Sequence, residues 1–361
     1  MSNSKYLKIR DQNRELNQKE IRSKALMLES YPIRLDISIT NRCNLKCIYC
    51  QHSYYSFNHL DEMTIDTFLL FEEIFPYLSN ATLFNTAEPL IAKDFDRIFS
   101  SISSYPVETY ISTNGILLDR NRIQLLVSKR LDYLTFSING FNRETYHKYH
   151  GADCFENLEA NISQLRREKK NQSSEEPRLR NTFVLMNDNF NELKRAIEFA
   201  SKYEFEEGVN VNILIAHSKE MVPLLPVGNS ESLSTRLAEL RDYAKGLCVT
   251  LSIQGEKRFQ QELTKTKKYC YEPWQRVSID FKGDVRPCSV AETVIGNIHR
   301  NYFKEIWNSK IMLDYRKRVN TDNPPEDCWN CWHCRNRGSN SLAVLDLSER
   351  TNLLGGIRVK A

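Results

Sequence analysis

The sequence predicts an α/β chain: a partial (β/α)6 barrel of the TIM type, followed by a small C-terminal module organised around metal. Six apolar, β-branched runs recur, and each is followed by a segment whose apolar residues have helical spacing. No glycine-rich dinucleotide turn follows the first run, which favours an incomplete barrel over an open doubly wound sheet. From about residue 250 the periodicity weakens and cysteines return.

The six runs are the predicted strands, in chain order RLDISIT (34–40), ATLFNTA (81–87), VETYISTN (107–114), YLTFSING (133–140), RNTFVLM (180–186) and VNVNILIA (209–216). Helices are predicted from segments such as 63–78, 154–169 and 190–205, and a polar helix at about residues 12 to 29 precedes the first strand. Alternating strands and helices predict a parallel sheet, so the chemistry is expected at the C-terminal ends of the strands.

Three parts are predicted along the chain: a polar helical extension at 1–30, a barrel core at 31–225 and an auxiliary module at 226–361. The stretch PLLPVGNSES (223–232) breaks the pattern with Pro, Gly and Ser and suggests the second boundary. The stretch NQSSEEPRLR (171–180) predicts a solvated loop, and FKGDVRP (281–287) predicts a tight turn.

Charge gives no sign of a nucleic-acid-binding face. The 361 residues include 50 basic and 46 acidic side chains, a net charge of +4, and the basic residues are scattered. A polar N-terminus and the absence of a long apolar run predict a cytoplasmic protein without a membrane partner. Ten cysteines in that reducing compartment favour metal or catalytic thiols over disulfides.

The first cysteine cluster directly follows the first predicted strand. The loop NRCNLKCIYC places Cys43, Cys47 and Cys50 in a C-x3-C-x2-C pattern. Three thiolates can hold three irons of a cubane cluster and leave the fourth iron for a ligand from outside the protein. A structural zinc loop is the alternative, although zinc sites usually pair two C-x2-C units and this triad has no obvious fourth partner nearby.

This loop, with the aromatic Tyr49 before its last cysteine, resembles the signature of the radical S-adenosylmethionine superfamily. The resemblance implies a [4Fe-4S] cluster on the three cysteines and S-adenosylmethionine as cofactor. It also implies an enzyme that reductively cleaves this cofactor to methionine and a 5′-deoxyadenosyl radical, which abstracts hydrogen from substrate. A one-electron donor such as flavodoxin or ferredoxin is the implied partner.

The resemblance also implies a set of cofactor contacts at the strand ends. Thr86, Ala87, Glu88 and Pro89 stand where the family usually has Gly-Gly-Glu-Pro, the segment that receives the methionine amino group. The third and fourth strands end in Ser-Thr-Asn-Gly and Ser-Ile-Asn-Gly, where the family contacts the ribose and carboxylate. The implied contacts there are Ser112, Asn114, Ser137 and Asn139. Small polar residues at such places also suit ordinary turns.

The second cysteine cluster comprises Cys270, Cys288, Cys328, Cys331 and Cys334. The C-x12-G-x4-C pattern through Gly283, the segment from Gly296 to Trp307 and the final C-x2-C resemble the SPASM and twitch modules of this superfamily. The implied cofactor is at least one auxiliary [4Fe-4S] cluster, and five cysteines fit the shorter twitch arrangement better than the seven of a full SPASM module. Structural zinc is again the alternative, and which of the last three cysteines is spare stays open.

The two remaining cysteines have weaker cases. Cys154 follows the fourth strand near the start of a helix, where a thiol could return a hydrogen atom to a substrate radical; a small packing residue is the alternative. Cys248 is flanked by apolar residues on an apparent strand, so core packing is expected for it.

Two substrate classes are open. Family members with such modules act on small molecules, such as sugars and aminocyclitols, or on ribosomally made peptides. The first strand begins near residue 34, which leaves little room for a leader-binding domain before it, so oxidation or epimerisation of a small molecule is expected first. Peptide maturation by cross-linking, epimerisation or cleavage is the alternative, and a non-catalytic iron–sulfur or zinc protein is a third.

Overall fold

The structure, a computed structural model, describes residues 3–54, 59–84, 87–226, 230–254, 269–329 and 331, with the backbone alone at residues 3 and 230–234. The strands are β1 (Arg34–Ser38), β2 (Asn80–Thr82), β3 (Glu108–Thr113), β4 (Tyr133–Ser137), β5 (Arg178–Leu185), β6 (Val209–Ile213), β7 (Leu251–Gln254), β8 (Arg276–Asp280), β9 (Asp284–Arg286) and β10 (Gly296–Asn297). All of them belong to one sheet.

The α-helices are α1 (Asn3–Arg22), α2 (Ile65–Leu69), α3 (Phe95–Ile102), α4 (Arg120–Ser128), α5 (Arg143–His150), α6 (Phe155–Asn171), α7 (Phe190–Lys202), α8 (Ser230–Gly246), α9 (Glu272–Gln275), α10 (Phe303–Trp307), α11 (Lys310–Arg318) and α12 (Glu326–Trp329). Shorter 3-10 turns lie at Gln51–Ser53, Glu72–Tyr77, Pro89–Ile91 and Lys219–Leu224. Within the described residues, none of the helices combines the length and the apolar character needed to cross a membrane.

The sheet order is β10-β9-β8-β1-β2-β3-β4-β5-β6-β7. The strands β8, β1 and β2 through β7 run parallel to their neighbours, whereas β8, β9 and β10 pair antiparallel. The predicted partial barrel with six parallel β/α units is therefore confirmed. Two further parallel strands, β7 and β8, extend it at its two edges, and the sheet continues through the residue-225 boundary that the sequence predicts.

The sequence-predicted elements differ from the structure mainly at their ends. The helix expected at 63–78 divides into α2 and a 3-10 turn that contains Pro76, because proline has no N–H for an α-helical bond. The N-terminal helix begins earlier than expected and ends at Arg22, before the left-handed backbone of Lys24 (φ 53°). The tight turn at 281–287 is the β8–β9 hairpin, in which Gly283 has φ 78°.

The N-terminal helix is part of the core rather than a loose extension. Asn17 on α1 donates to the carbonyl of Trp274 at 2.6 Å, and the Trp274 indole donates to the carbonyl of Ala25 at 2.7 Å. The fully buried Trp307 donates to the carbonyl of Ser30 at 2.9 Å. Residues 17 to 30 thus join the start of the barrel to the C-terminal third of the chain.

Candidate active site

The three-cysteine loop lies against the C-terminal end of α5. The amides of Lys46 and Ile48 donate to the carbonyls of His150 and Tyr149, at 3.3 and 3.1 Å. Carbonyls in the last turn of a helix lack partners within the helix, so the loop satisfies groups that would otherwise be orphaned. Gly151 follows with φ 72°, and a Cβ there would lie 2.9 Å from the carbonyl oxygen of Lys46. Glycine at this position allows the loop to approach.

The three thiols of the loop share one partly buried pocket. Burial raises the pKa of Cys43 to about 11, and the nearby Glu88 and Cys50 raise it further. Burial likewise raises the pKa of Cys47 to about 12, with Cys50 and Cys43 as additional causes. The backbone also brings two of these residues together, because the amide of Cys50 donates to the carbonyl of Cys47 at 3.1 Å. Iron would have to displace the thiol protons, so cluster assembly here releases protons.

Glu88 lies at the C-terminal edge of the sheet, two per cent exposed. Its carboxylate accepts hydrogen bonds from the amide of Asn114 at 2.8 Å, the hydroxyl of Thr113 at 2.8 Å and the amide of Leu90 at 3.1 Å. Burial nevertheless raises the pKa of Glu88 to about 7, against the lowering effect of those donors. A carboxylate has about four acceptor sites, so one site stays available for a further donor.

The predicted residues at the end of β3 lie at this edge of the sheet, but the residue that contacts Glu88 is not the one predicted. Asn114 donates its side-chain amide to Asn44 of the cysteine loop at 2.8 Å. The neighbour of Glu88 on β3 is Thr113, whose side chain is buried, rather than the half-buried Ser112. The sequence analysis did not select Thr113, although strand alternation could have placed it on the buried face.

The second strand ends in the segment predicted to receive the cofactor's amino group. Ala87 is half-buried and Pro89 is buried at the start of a 3-10 turn, while Thr86 lies outside the described residues. The amide of Glu88 donates to the carbonyl of Arg42 at 3.0 Å, which ties this segment to the cysteine loop.

His150, which was not predicted from the sequence, lies between three residues that were: Tyr49, Ser137 and Asn139. The hydroxyl of Tyr49 lies 3.4 Å from that of Ser137 and 3.2 Å from Nδ1 of His150. Asn139 is fully buried, and its backbone amide donates to Nε2 of His150 at 3.1 Å. Burial lowers the pKa of His150 to about 3. The sequence prediction placed no helix at residues 143–150, so nothing marked this histidine before the structure located it at the end of α5.

These residues fit the two groups that the motif implies. The side-chain nitrogen Nδ2 of Asn139 is buried and has no hydrogen-bond partner among the described residues, and a polar ligand at the end of β4 would satisfy it. No three His, Cys, Asp or Glu side chains of the described residues are placed around one metal ion. A four-iron cluster binds each thiolate through a different iron. It therefore needs three thiols that face one pocket, but it does not need them within bonding distance of a single ion.

The C-terminal cysteines are brought together in part. Burial raises the pKa of Cys288 to about 12, and Cys331 is near enough to raise it further. Asp327, next to Cys328, accepts from the amide of Thr293 at 3.1 Å and from the hydroxyl of Tyr315. Those bonds hold α12 against α11 and against the segment between β9 and β10.

Cys270 has a separate anchor in this module, and Cys334 lies outside the described residues. Asn320 holds the backbone of the buried Cys270 by two hydrogen bonds, at 2.8 and 2.9 Å. Gly296 faces Ile306, whose side chain a Cβ there would meet at 2.8 Å, next to the buried Trp307. This packing explains why a glycine is needed at position 296 of this chain.

Of the two isolated cysteines, Cys154 stands where the sequence predicts it, at the N-cap of α6, half-buried. The expectation for Cys248 is wrong: its side chain is exposed, and its backbone is left-handed, with φ 56°. Cys248 forms the turn between α8 and β7, and Val249 takes the buried position that follows.

Comparison with known families decides between the iron and zinc interpretations. The sequence model of the radical SAM superfamily matches residues 37–200, and that of SPASM, an iron–sulfur cluster-binding domain, matches residues 270–332. The chain belongs to the radical S-adenosylmethionine superfamily. Its cofactors are S-adenosylmethionine and a [4Fe-4S] cluster, and its SPASM domain is a binding domain for auxiliary iron–sulfur clusters.

Two relatives match most of this radical SAM chain. PqqA peptide cyclase of Granulibacter bethesdensis is 24% identical over 310 residues, which cover 83% of this chain and 79% of that protein. AdoMet-dependent heme synthase of Methanosarcina barkeri is 24% identical over 309 residues, which cover 77% of this chain and 83% of that protein.

Solved structures share the fold. Streptococcus suis SuiB bound to S-adenosylmethionine superposes with a TM-score of 0.65 and 15% identity, over 83% of this chain and 70% of that one. Native anSMEcpe with bound AdoMet and Cp18Cys peptide gives a TM-score of 0.58 and 16% identity, over 80% of this chain and 84% of that one. The partial barrel is thus the fold of solved radical SAM enzymes.

Proposed function

We propose that this radical SAM enzyme holds its cofactor cluster with Cys43, Cys47 and Cys50 and abstracts hydrogen from an unactivated C–H bond of its substrate. The observation that carries the proposal is the meeting of the cysteine loop with the ends of β2, β3 and β4. Hydrogen bonds from Asn114 to Asn44 and from Glu88 to Arg42 join these elements. When bound, the reduced cluster supplies the electron that cleaves S-adenosylmethionine to methionine and a 5′-deoxyadenosyl radical.

The chain's own residues bind and orient the cofactor in this proposal. Glu88 accepts a hydrogen bond from the methionine amino group at its remaining acceptor site. Asn139 donates a hydrogen bond from its side-chain nitrogen Nδ2 to a polar group of the cofactor. Ser112, Asn114 and Ser137 line the neighbouring strand ends. Tyr49, half-buried, holds the loop against β4 through its hydroxyl. Such positioning converts radical attack on one C–H bond into an intramolecular step.

The auxiliary cluster is assigned to Cys270 and Cys288 with two of Cys328, Cys331 and Cys334. The proximity of Cys288 and Cys331 supports this assignment. Because β8 pairs with β1 over five residues, the module that carries these cysteines is attached to the strand that leads into the first loop. An auxiliary cluster attached in this way can hold a substrate or accept an electron from it. A flavodoxin or ferredoxin in the reducing cytoplasm is the donor we propose.

Two substrate classes have separate support. The likeness to PqqA peptide cyclase over most of both chains favours a peptide, and we propose a peptide as the first class to test. The second candidate is a small molecule that is oxidised or epimerised, which is the class that the sequence favours. Mass spectrometry of reactions in deuterated water separates the two classes. If the substrate is a peptide, a peptide encoded beside the gene should show a mass change, a cross-link or solvent deuterium. If the substrate is a small molecule, a sugar or aminocyclitol should show the mass change or the deuterium instead.

The proposed cluster assignment is tested on protein purified without oxygen. Wild-type protein is expected to contain about eight irons and to release 5′-deoxyadenosine after reduction with S-adenosylmethionine. Alanine at Cys43, Cys47 and Cys50 together should abolish 5′-deoxyadenosine and leave about four irons. Alanine at the exposed Cys248 is the matched control and should change neither quantity. Continued 5′-deoxyadenosine from the triple variant would refute the assignment.

A further inference from the structure

His150 joins the cysteine loop to β4. It is the last residue of α5, and its side chain is completely buried. The ring stacks on Tyr146, with centroids 4.1 Å apart and an interplanar angle of 10°. Tyr49 meets the imidazole in a T-shaped contact, at 5.5 Å and 87°. The orientation of the imidazole is therefore fixed, and each ring nitrogen faces a defined partner.

The hydrogen bonds determine which nitrogen carries the proton. The backbone amide of Asn139 points at Nε2 at 3.1 Å, and a peptide N–H can only donate. Nε2 must therefore present its lone pair. The proton of a neutral imidazole then lies on Nδ1. This assignment follows from the hydrogen-bond network, in the usual way for histidine tautomers.

The Nδ1–H donor faces the cysteine loop. Nδ1 lies 3.5 Å from the sulfur of Cys47 and 3.2 Å from the hydroxyl oxygen of Tyr49. Sulfur is large and accepts hydrogen bonds at longer distances than oxygen does. A thiolate sulfur carries negative charge, so an N–H donor favours the thiolate over the neutral hydroxyl as its partner.

We propose that His150 is a positioning residue that donates a hydrogen bond from Nδ1 to the sulfur of Cys47 and thereby raises the reduction potential of the cluster. This inference rests on the proposed function, in which Cys47 is a cluster ligand. Hydrogen bonds to ligating sulfurs stabilise the reduced cluster, because it carries one more negative charge than the oxidised one. The same ring fixes the amide of Asn139, so it couples a cofactor-binding strand end to the cluster.

Two substitutions separate the two nitrogens of the ring. His150→Gln can place an acceptor near the position of Nε2 for Asn139, with no donor at the position of Nδ1. His150→Asn can place an N–H donor near Nδ1 and loses the acceptor for Asn139. His147→Gln, on the exposed face of the same helix, is the matched control. All variants are reconstituted with iron and sulfide without oxygen, and the iron content of each is measured first.

The readout is an electron paramagnetic resonance titration of the cluster in the absence of substrate. In His150→Gln the ratio of reduced to oxidised cluster at a fixed potential should fall about tenfold, which is a downward shift of about 59 mV for one electron. His150→Asn should stay within about threefold of wild type, and His147→Gln should be unchanged. An unshifted potential in iron-loaded His150→Gln overturns the proposal, as does an equal shift in both His150 variants.

A measurement on wild-type protein keeps the test independent of how the variants fold. Isotope-labelled histidine should show a magnetic coupling between one imidazole N–H and the reduced cluster in electron–nuclear double resonance. Wild-type protein with a cluster and without that coupling overturns the proposal. Failure of the proposed function gives a different result, in which the triple cysteine variant keeps the full iron content and still yields 5′-deoxyadenosine.

Discussion

Replacing Glu88 with glutamine is expected to weaken binding of S-adenosylmethionine by roughly 10- to 150-fold. The carboxylate is buried and already accepts from Asn114, Thr113 and Leu90. In the variant, the amide NH₂ group faces either the Asn114 amide or the Leu90 amide, so a donor opposes a donor, and the negative charge that would attract the cofactor's amino group is lost. Loss of a hydrogen bond to a charged group costs about 1.5–3 kcal/mol, and every 1.4 kcal/mol is about tenfold in affinity.

The same side chain predicts a pH dependence. Burial raises the pKa of Glu88 to about 7, so the carboxyl group is mainly protonated below that pH and mainly ionised above it. The amino group of the cofactor binds the ionised form better, so affinity should rise about tenfold from pH 6 to pH 8. Arg122 favours the ionised form and Cys43 is a neighbouring titratable group, and both stay in the variant.

The assay is calorimetric titration of S-adenosylmethionine into iron-loaded protein without oxygen, at several pH values. Wild-type affinity should increase with pH, and Glu88→Gln should be weaker and lose the part of the slope that belongs to Glu88. Thr113→Val is the matched control, because it removes one donor and keeps the carboxylate. Equal affinities and equal pH slopes for wild type and Glu88→Gln would refute the reasoning.

Three further predictions follow from the packing. Gly151→Ala puts a Cβ 2.9 Å from the Lys46 carbonyl at φ 72°. It should cost about 1–2 kcal/mol in denaturation and lower iron loading, whereas Gly246→Ala, with open space for its Cβ, should do neither. Arg316→Met leaves buried carbonyls such as that of Pro273 without their donor and should lower the free energy of unfolding by about 3 kcal/mol in urea titrations, with the exposed Lys317→Met unaffected. If Cys154 returns a hydrogen atom to a substrate radical, Cys154→Ala should keep 5′-deoxyadenosine formation but yield no epimerised product by mass spectrometry in deuterated water; an unchanged product assigns Cys154 to packing.

The sequence predicted the barrel well because most of its strands bury alternate residues, which selects apolar and β-branched side chains at those positions. All six predicted strands are present, at nearly their predicted positions. An apparent strand around Cys248 is indicated by the sequence but is not counted as part of the barrel; the observed β7 begins only at Leu251 and has alternate residues at the surface. β8 lies in a region where cysteines and turns, rather than periodicity, dominate the sequence.

The site was predictable where chemistry dictates residue type and spacing. The cysteine loop and Glu88 could be found because thiolate spacing and a carboxylate at a strand end have few alternative uses. His150 and Thr113 could not be found in that way, because their importance comes from partners far away in the chain, Cys47 and Glu88. Cys248 shows the converse error: apolar neighbours suggested burial, and a left-handed turn turned the thiol outward.

The pairing of β8 with β1 has a consequence for the order of folding. Arg34 pairs with Arg276, so these two strands are more than 240 residues apart in the sequence. During synthesis β1 lacks one neighbour until the last third of the chain emerges, and closing so long a loop is entropically costly and slow. Because β1 leads directly into the cysteine loop, that loop gains the support of β8 only after residue 280 has been synthesised. Cluster insertion is therefore expected after β8 has paired with β1, and a fragment that stops before residue 270 leaves β1 without β8 as a neighbour.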